Sequence, residues 1–310
     1  MSFIIIVICE KQGKFKYMKT RIEMKKYGEV FREIRESRNL SLKHVVGDKM
    51  SIPQLSKFER GETDLTIAKF IYALEKVGMT LEEFEFVSQG YEFSAFDKMI
   101  KKMRKFMIEK NIYGLKRILQ EQKEKKVAGE ILDEMNYLMS KSVLSSFDEK
   151  YILVSEEKDR ILDYLYSVDD WGYYQLILYG NVLPSLGMKS VFSLAKEVVS
   201  RSSFYKSITK NKQMVIQILL NTLIFAINKK EFTQAQLFKN IIEDFLDDET
   251  DVYEKTIFLF TQGALSYYTG KIKVGKQQML DAIDIFGKVG SLNLARNYKD
   301  DFDEIIGENL

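Results

Sequence analysis

The sequence predicts an all-α protein, with a small unit of five short helices followed by an α-solenoid of paired helices. Three observations carry that expectation. Apolar residues recur at helical spacing through most of the chain. Only 2 prolines occur in 310 residues, so few positions forbid an internal helical donor. The helices read as short and capped up to about residue 88, and as long and amphipathic from about Ser94. With 45% hydrophobic and 13% aromatic residues, the chain can fill two cores.

The elements follow in order. Residues 3–9 form an apolar run too short to span a bilayer. The run lacks the basic leader and small-residue cleavage site of a signal peptide, so no stable membrane association is expected. Residues 1–23 are expected to be a disordered upstream extension, with the natural start at Met24. A first helix over about 25–37 carries Tyr27, Val30, Phe31 and Ile34 on one face. Ser41 caps a second helix that Gly47 ends. Ser51 caps a third, with Gln54 completing a capping-box pattern, Pro53 tolerated in the first turn, and Gly61 at the C′ position. Ile67, Phe70, Ile71 and Leu74 mark a fourth helix, and Thr80 to Glu83 is a capping box that opens a fifth. The N-terminal domain is placed at 24–88.

Eleven longer helices are expected in a second domain over 94–310, at about 94–109, 111–126, 128–145, 156–167, 170–180, 187–201, 210–228, 231–246, 251–269, 272–288 and 291–306. The junctions beginning at Ile108, Ile227 and Tyr268 look alike. They lie 119 and 41 residues apart, and the first offset is close to three times 40. That is near the period of helix-pair repeats of tetratricopeptide type.

Charge and chemistry narrow the function. The net charge of +2 says little by itself, but between Lys25 and Arg60 nine Lys/Arg face five acids. Such a local excess suits a module that contacts some phosphates. A second basic stretch, with eleven Lys/Arg from Lys98 to Lys126, reads as the solvated face of two helices. Cys9 and His44 are the lone cysteine and histidine, which exclude a disulfide framework and clustered metal sites. No nucleophile–base pair or phosphate-binding glycine loop is visible, so neither an enzyme nor a cofactor is expected.

The stretch from Ser51 to Gly61 is the most informative. Two short helices joined by a tight turn, the second with an outward polar face, place one helix in the DNA major groove. On a helical wheel Ile52, Leu55 and Phe58 or Glu59 point inward, while Pro53, Gln54, Ser56, Lys57 and Arg60 face outward or sideways. Gln54 can pair with adenine, Lys57 can donate to guanine, and the Ile52-Pro53 start of the helix can touch thymine methyls. The amides at the helix starts near Ser41 and Ser51 can hold phosphates, as can Lys43, Arg38 and Lys49. The expected partner is double-stranded promoter DNA.

Residues 24–86 resemble the lambda-repressor-like helix-turn-helix of XRE type through Ile34-Arg35, Leu40-Ser41, Ser51, Leu55-Ser56 and Phe58-Glu59-Arg60-Gly61. That resemblance implies an internal brace between Arg35 and Glu59. Leu42 stands where a glutamine often opens the second helix, and Ile52 and Pro53 replace polar residues at the head of the third. From Met24 onward the chain also resembles the Rgg/GadR/MutR regulators. The matching residues are Met24 to Arg35, Ser41 to Lys43, Gln54 to Glu59, Gly61 to Leu65, Leu81 to Phe84, Trp171 to Leu176, and Tyr179 to Asn181. This resemblance implies a cytoplasmic homodimer whose repeat domain binds a short signalling peptide and so alters transcription.

For the peptide, asparagine amides that both donate and accept suit an extended backbone, and tyrosines supply apolar walls with a polar tip. Asn181, Asn221 and Asn228 are candidates, with Trp171, Tyr174 and Tyr179 as walls. An interaction scaffold with a degenerate N-terminal module is the alternative reading. A promoter-binding assay separates the two.

Overall fold

The computed structural model describes residues 27–89, 94–126, 130–201 and 209–307. The expectations for residues 1–23 and for a start at Met24 lie outside that range. Among the described residues there are sixteen α-helices, two short 3₁₀ turns and no strand. The residues fall into two compact units that divide between Lys98 and Met99.

The first unit contains α1 (Tyr27–Ser37), α2 (Leu42–Val46), α3 (Ile52–Glu59), α4 (Ile67–Lys76) and α5 (Leu81–Ser88). Phe31, Val45, Leu55, Phe58, Leu74 and Phe84 form its core. Phe70 packs edge-on to Phe84 and Phe58, with ring centroids 4.8 and 5.8 Å away. Helix α3 departs from the wheel at one position. Leu55, Phe58 and Glu59 complete the buried face, whereas Ile52, one turn nearer the helix start, remains 43% exposed. Its capping box is half made. Ser51 Oγ accepts from the Gln54 amide at 3.3 Å, but the Gln54 side chain turns to Lys69 instead of folding back. The box that opens α5 is complete, with Thr80 Oγ1 accepting from the Glu83 amide and Glu83 from the Thr80 amide.

Helix α6 (Ala95–Ile108) crosses the division between the units. It is followed by α7 (Ile112–Lys125), α8 (Ile131–Ser145), α9 (Ser155–Ser167), α10 (Tyr173–Val182), α11 (Met188–Arg201), α12 (Thr209–Asn228), α13 (Phe232–Phe245), α14 (Val252–Tyr268), α15 (Ile272–Lys288) and α16 (Leu292–Gly307). Alternate helices α8, α10, α12 and α14 pack in succession, with α7 beside α8, α13 beside α12 and α15 beside α14, as stacked helix pairs do. Helix α12 is buried on all sides from Met214 to Ile227, so its run of Ile, Leu and Phe has no polar stripe.

The three similar junctions share one geometry. Lys110, Lys230 and Gly270 adopt left-handed backbone, with φ of 51°, 59° and 93°. The next amide in each case closes back five residues: Asn111 to Phe106 O at 2.7 Å, Glu231 to Ala226 O at 2.8 Å, and Lys271 to Ser266 O at 2.8 Å. This is the Schellman closure of a helix C-terminus. Gly61 ends α3 the same way, with φ of 67° and the Glu62 amide on Lys57 O.

Candidate nucleic-acid interface and ligand cavity

Helix α3 is anchored from below by a buried ion pair. Arg35 Nε donates to Glu59 Oε1 at 2.7 Å and Nη2 to Oε2 at 2.8 Å, a two-point contact. Arg35 Nη1 also donates to Leu40 O at 2.7 Å, tying the α1–α2 turn into the same anchor. The Glu59 hydrogen bonds outweigh burial and raise the Arg35 guanidinium above its ordinary value. With its charged end facing inward, α3 presents the opposite face to solvent.

On that face Pro53 and Lys57 are exposed and Ser56 is half-buried. Arg60 is exposed but held by Ser56 Oγ and by Glu62, with Nε to Oε1 at 2.5 Å. Gln54 is half-buried, and its Oε1 accepts from Lys69 Nζ at 3.0 Å. Ammonium only donates, so the Gln54 amide oxygen is fixed toward α4. Ser41 Oγ accepts from the His44 amide at 3.2 Å, and Lys43 is exposed on the first turn of α2. Arg38 departs from a freely presented phosphate contact, because its Nη1 donates to Val77 O at the end of α4. Helix C-termini attract cations through their unsatisfied carbonyls, which accounts for that placement.

The second unit carries a cleft, open to solvent, of about 720 Å³. Arg104 of α6, Asn228 at the end of α12, Tyr253 and Tyr268 of α14, and Asn297 and Asp301 of α16 lie on its wall. Two contacts join the end of α6 to α16 there: Asn297 Nδ2 donates to Ile108 O at 3.2 Å, and Lys110 Nζ pairs with Asp300 at 2.6 Å. The Arg104 guanidinium lies over the Tyr253 ring, 5.8 Å from its centroid. Aromatic rings stand on this wall among charged and amide groups, and the volume falls in the range of ligand pockets.

Of the expected peptide contacts, Asn228 lines this cavity. Trp171 and Tyr179 are corrected to core residues, since both are fully buried. Trp171 Nε1 donates to Leu165 O at 3.2 Å, and the Tyr179 hydroxyl donates to Val191 O at 2.7 Å. Burial pushes the Tyr179 hydroxyl well above its ordinary value. Asn181 and Asn221 are buried too, with Asn181 Nδ2 donating to Ile177 O one turn back in α10. The reason lies in α10 and α12, which are enclosed by neighbours and leave no groove-facing side at these positions. Tyr174 is half-buried, and its hydroxyl donates to Asn136 Oδ1 at 3.0 Å at the seam of α8 and α10.

Arg104, Tyr253, Tyr268 and Asn297 were not expected at a site. Arg104 sits in the basic stretch read as a solvated face. Only the tertiary pairing of α6 with α16 brings it near residues almost two hundred positions away, and no local pattern announces that. Among the described residues, no helix is long and apolar enough to cross a membrane.

The family profile described as HTH-type transcriptional regulator Rgg, C-terminal domain, matches residues 115–300. The SHP pheromone receptor Rgg2 of Streptococcus dysgalactiae is 31% identical in sequence, with a TM-score of 0.73 over 90% of this chain and 98% of that one. A protein from Listeria monocytogenes EGD-e shares the fold at 17% identity, with a TM-score of 0.78 over 93% of this chain and 99% of its own. The receptor in a bacterial peptide pheromone/receptor complex shares it at 18% identity, with a TM-score of 0.64 over 90% and 98% of the two chains. With the profile spanning more than half of the sequence and a relative above 30% identity aligned over nearly its whole length, the chain belongs to the Rgg family of HTH-type transcriptional regulators.

Proposed function

We propose that this chain is a sequence-specific transcriptional regulator controlled by a short peptide that binds in the second unit. The observation that carries the reading is the cavity of about 720 Å³ walled by Arg104, Asn228, Tyr253 and Asn297, within the region that matches the regulator family. A bound peptide would find an aromatic wall for an apolar side chain, Arg104 for a carboxylate, and the Asn228 and Asn297 amides for its backbone. The likeness to a pheromone receptor supports the same reading.

On the DNA side, Pro53, Gln54, Ser56, Lys57 and Arg60 face the base edges, while Lys43 and the amides near Ser41 and Ser51 hold phosphates. One small module buries too little surface for tight specific binding, so the protein works as a homodimer on two half-sites, in the cytoplasm where promoter DNA lies.

The test uses the full-length protein recovered from the cells that make it. Native mass spectrometry should find a bound peptide of a few residues, lost from the Asn228→Ala/Tyr253→Ala variant. The same peptide, synthesised, should change affinity for the promoter beside the protein's own gene. Absence of any bound peptide, together with no preference for a promoter over random duplex, rejects the reading.

A further inference from the structure

The head of α3 carries a surface that hydrogen bonding does not explain. Ile52 is 43% exposed and Pro53 beside it is exposed as well, although the inward face of the helix is already filled by Leu55, Phe58 and Glu59. The Lys69–Gln54 hydrogen bond ties this turn to α4 and leaves Ile52 and Pro53 uncovered. The result is a small apolar area at the leading end of the helix, flanked by the exposed ammonium of Lys57.

In a helix-turn-helix, the first residues of the second helix are the ones brought to the base edges of the major groove. Neither isoleucine nor proline offers a side-chain donor or acceptor to a base. The groove presents one apolar group on its base edges, the 5-methyl of thymine. The Gln54 amide adds to this argument. Its oxygen is held by Lys69, so the base-reading turn is left with apolar surface and with donors.

We propose that Ile52 and Pro53 read thymine by contact with its 5-methyl group, so that each operator half-site carries thymine opposite the start of α3. This rests on the DNA-binding reading above and specifies the base chemistry at its centre. Burying one methyl group corresponds to an affinity factor of about fourfold.

The experiment selects binding duplexes from a random library with the full-length protein, then replaces each thymine singly with deoxyuridine, which removes only the methyl. Binding is measured for the unaltered protein and for Ile52→Ser, whose position is exposed and outside the core. The expected result is a loss of about fourfold at one or two thymines per half-site, absent in Ile52→Ser. The salt dependence should be unchanged, because no phosphate contact is altered. A selected site at which no deoxyuridine matters, or at which Ile52→Ser keeps every deoxyuridine penalty, overturns the proposal and leaves DNA binding intact. Failure to select any sequence overturns both.

Discussion

Arg35 and Glu59, 24 positions apart, meet through two parallel hydrogen bonds in the interior of the first unit. They join α1 to the far end of α3, so the orientation of the DNA-facing helix depends on a contact invisible from its outer face. Removing Glu59 leaves the buried guanidinium with only the longer 3.3 Å contact to Glu36 as a charge partner, and breaking a buried pair costs up to roughly 3–5 kcal/mol. Glu59→Ala should therefore lower the urea midpoint of the first unit and abolish promoter binding. Arg35→Lys should recover little of either, because an ammonium cannot make the two-point contact.

Lys57 stands on the opposite face, exposed and outside the core. Lys57→Ala should weaken specific promoter binding roughly tenfold while circular dichroism and thermal melting stay unchanged. Equal affinity of variant and parent at several salt concentrations removes Lys57 from the interface.

Most of the architecture could be read before any coordinates, because amphipathic period, serine and threonine caps and glycine stops are local signals. The eleven long helices lie where the apolar period placed them, and the Arg35–Glu59 contact lies where the resemblance put it. The cavity was less legible. Asn181 and Asn221 carry the right chemistry, but they lie in the stretches 176–182 and 214–227 that are buried throughout, and a polar residue in an apolar helix reads alike whether it faces a groove or a neighbour. Arg104 and Asn297 become a site only when α6 meets α16, which periodicity does not encode.

The repeated junctions separate backbone cost from packing. Gly270 has φ of 93°, and a Cβ there would meet nothing within 4 Å. Gly270→Ala should cost about 1–2 kcal/mol through backbone conformation alone. Lys230 holds a related conformation with a side chain, so Lys230→Gly should stabilise by about 0.5 kcal/mol, the relieved strain exceeding the added entropy of the unfolded chain. Chemical denaturation of the two variants checks both signs.

Glu134 supplies a pH dependence. The hydrogen bond from Arg160, opposed next by burial and then joined by the Lys126 hydrogen bond and both positive charges, holds its carboxyl below the ordinary value. A carboxylate with a depressed folded-state value stabilises above its unfolded value, and that stability is lost as pH falls through the folded value. The stability gap between the parent and Glu134→Gln should thus be full near neutrality and close as acid is added below the ordinary carboxylate range. A gap that stays constant down to strongly acidic pH would remove Glu134 as its source.

Helices α14 and α15 approach so closely that two glycines face one another. A Cβ on Gly275 would lie 2.5 Å from Gly263 O and 2.6 Å from the Tyr267 amide nitrogen, both backbone atoms that no rotamer change can move. Gly275→Ala must therefore separate the helices, at a cost of about 1–3 kcal/mol. Gly287 lies in the same helix, and a Cβ there would meet nothing within 4 Å. Gly287→Ala should stabilise by about 0.5–1 kcal/mol, since alanine loses less freedom in a helix. The two substitutions are chemically identical and twelve residues apart, so opposite shifts in melting temperature isolate helix contact from helix propensity. Equal shifts would mean that α14 and α15 pack less tightly in solution than these distances require.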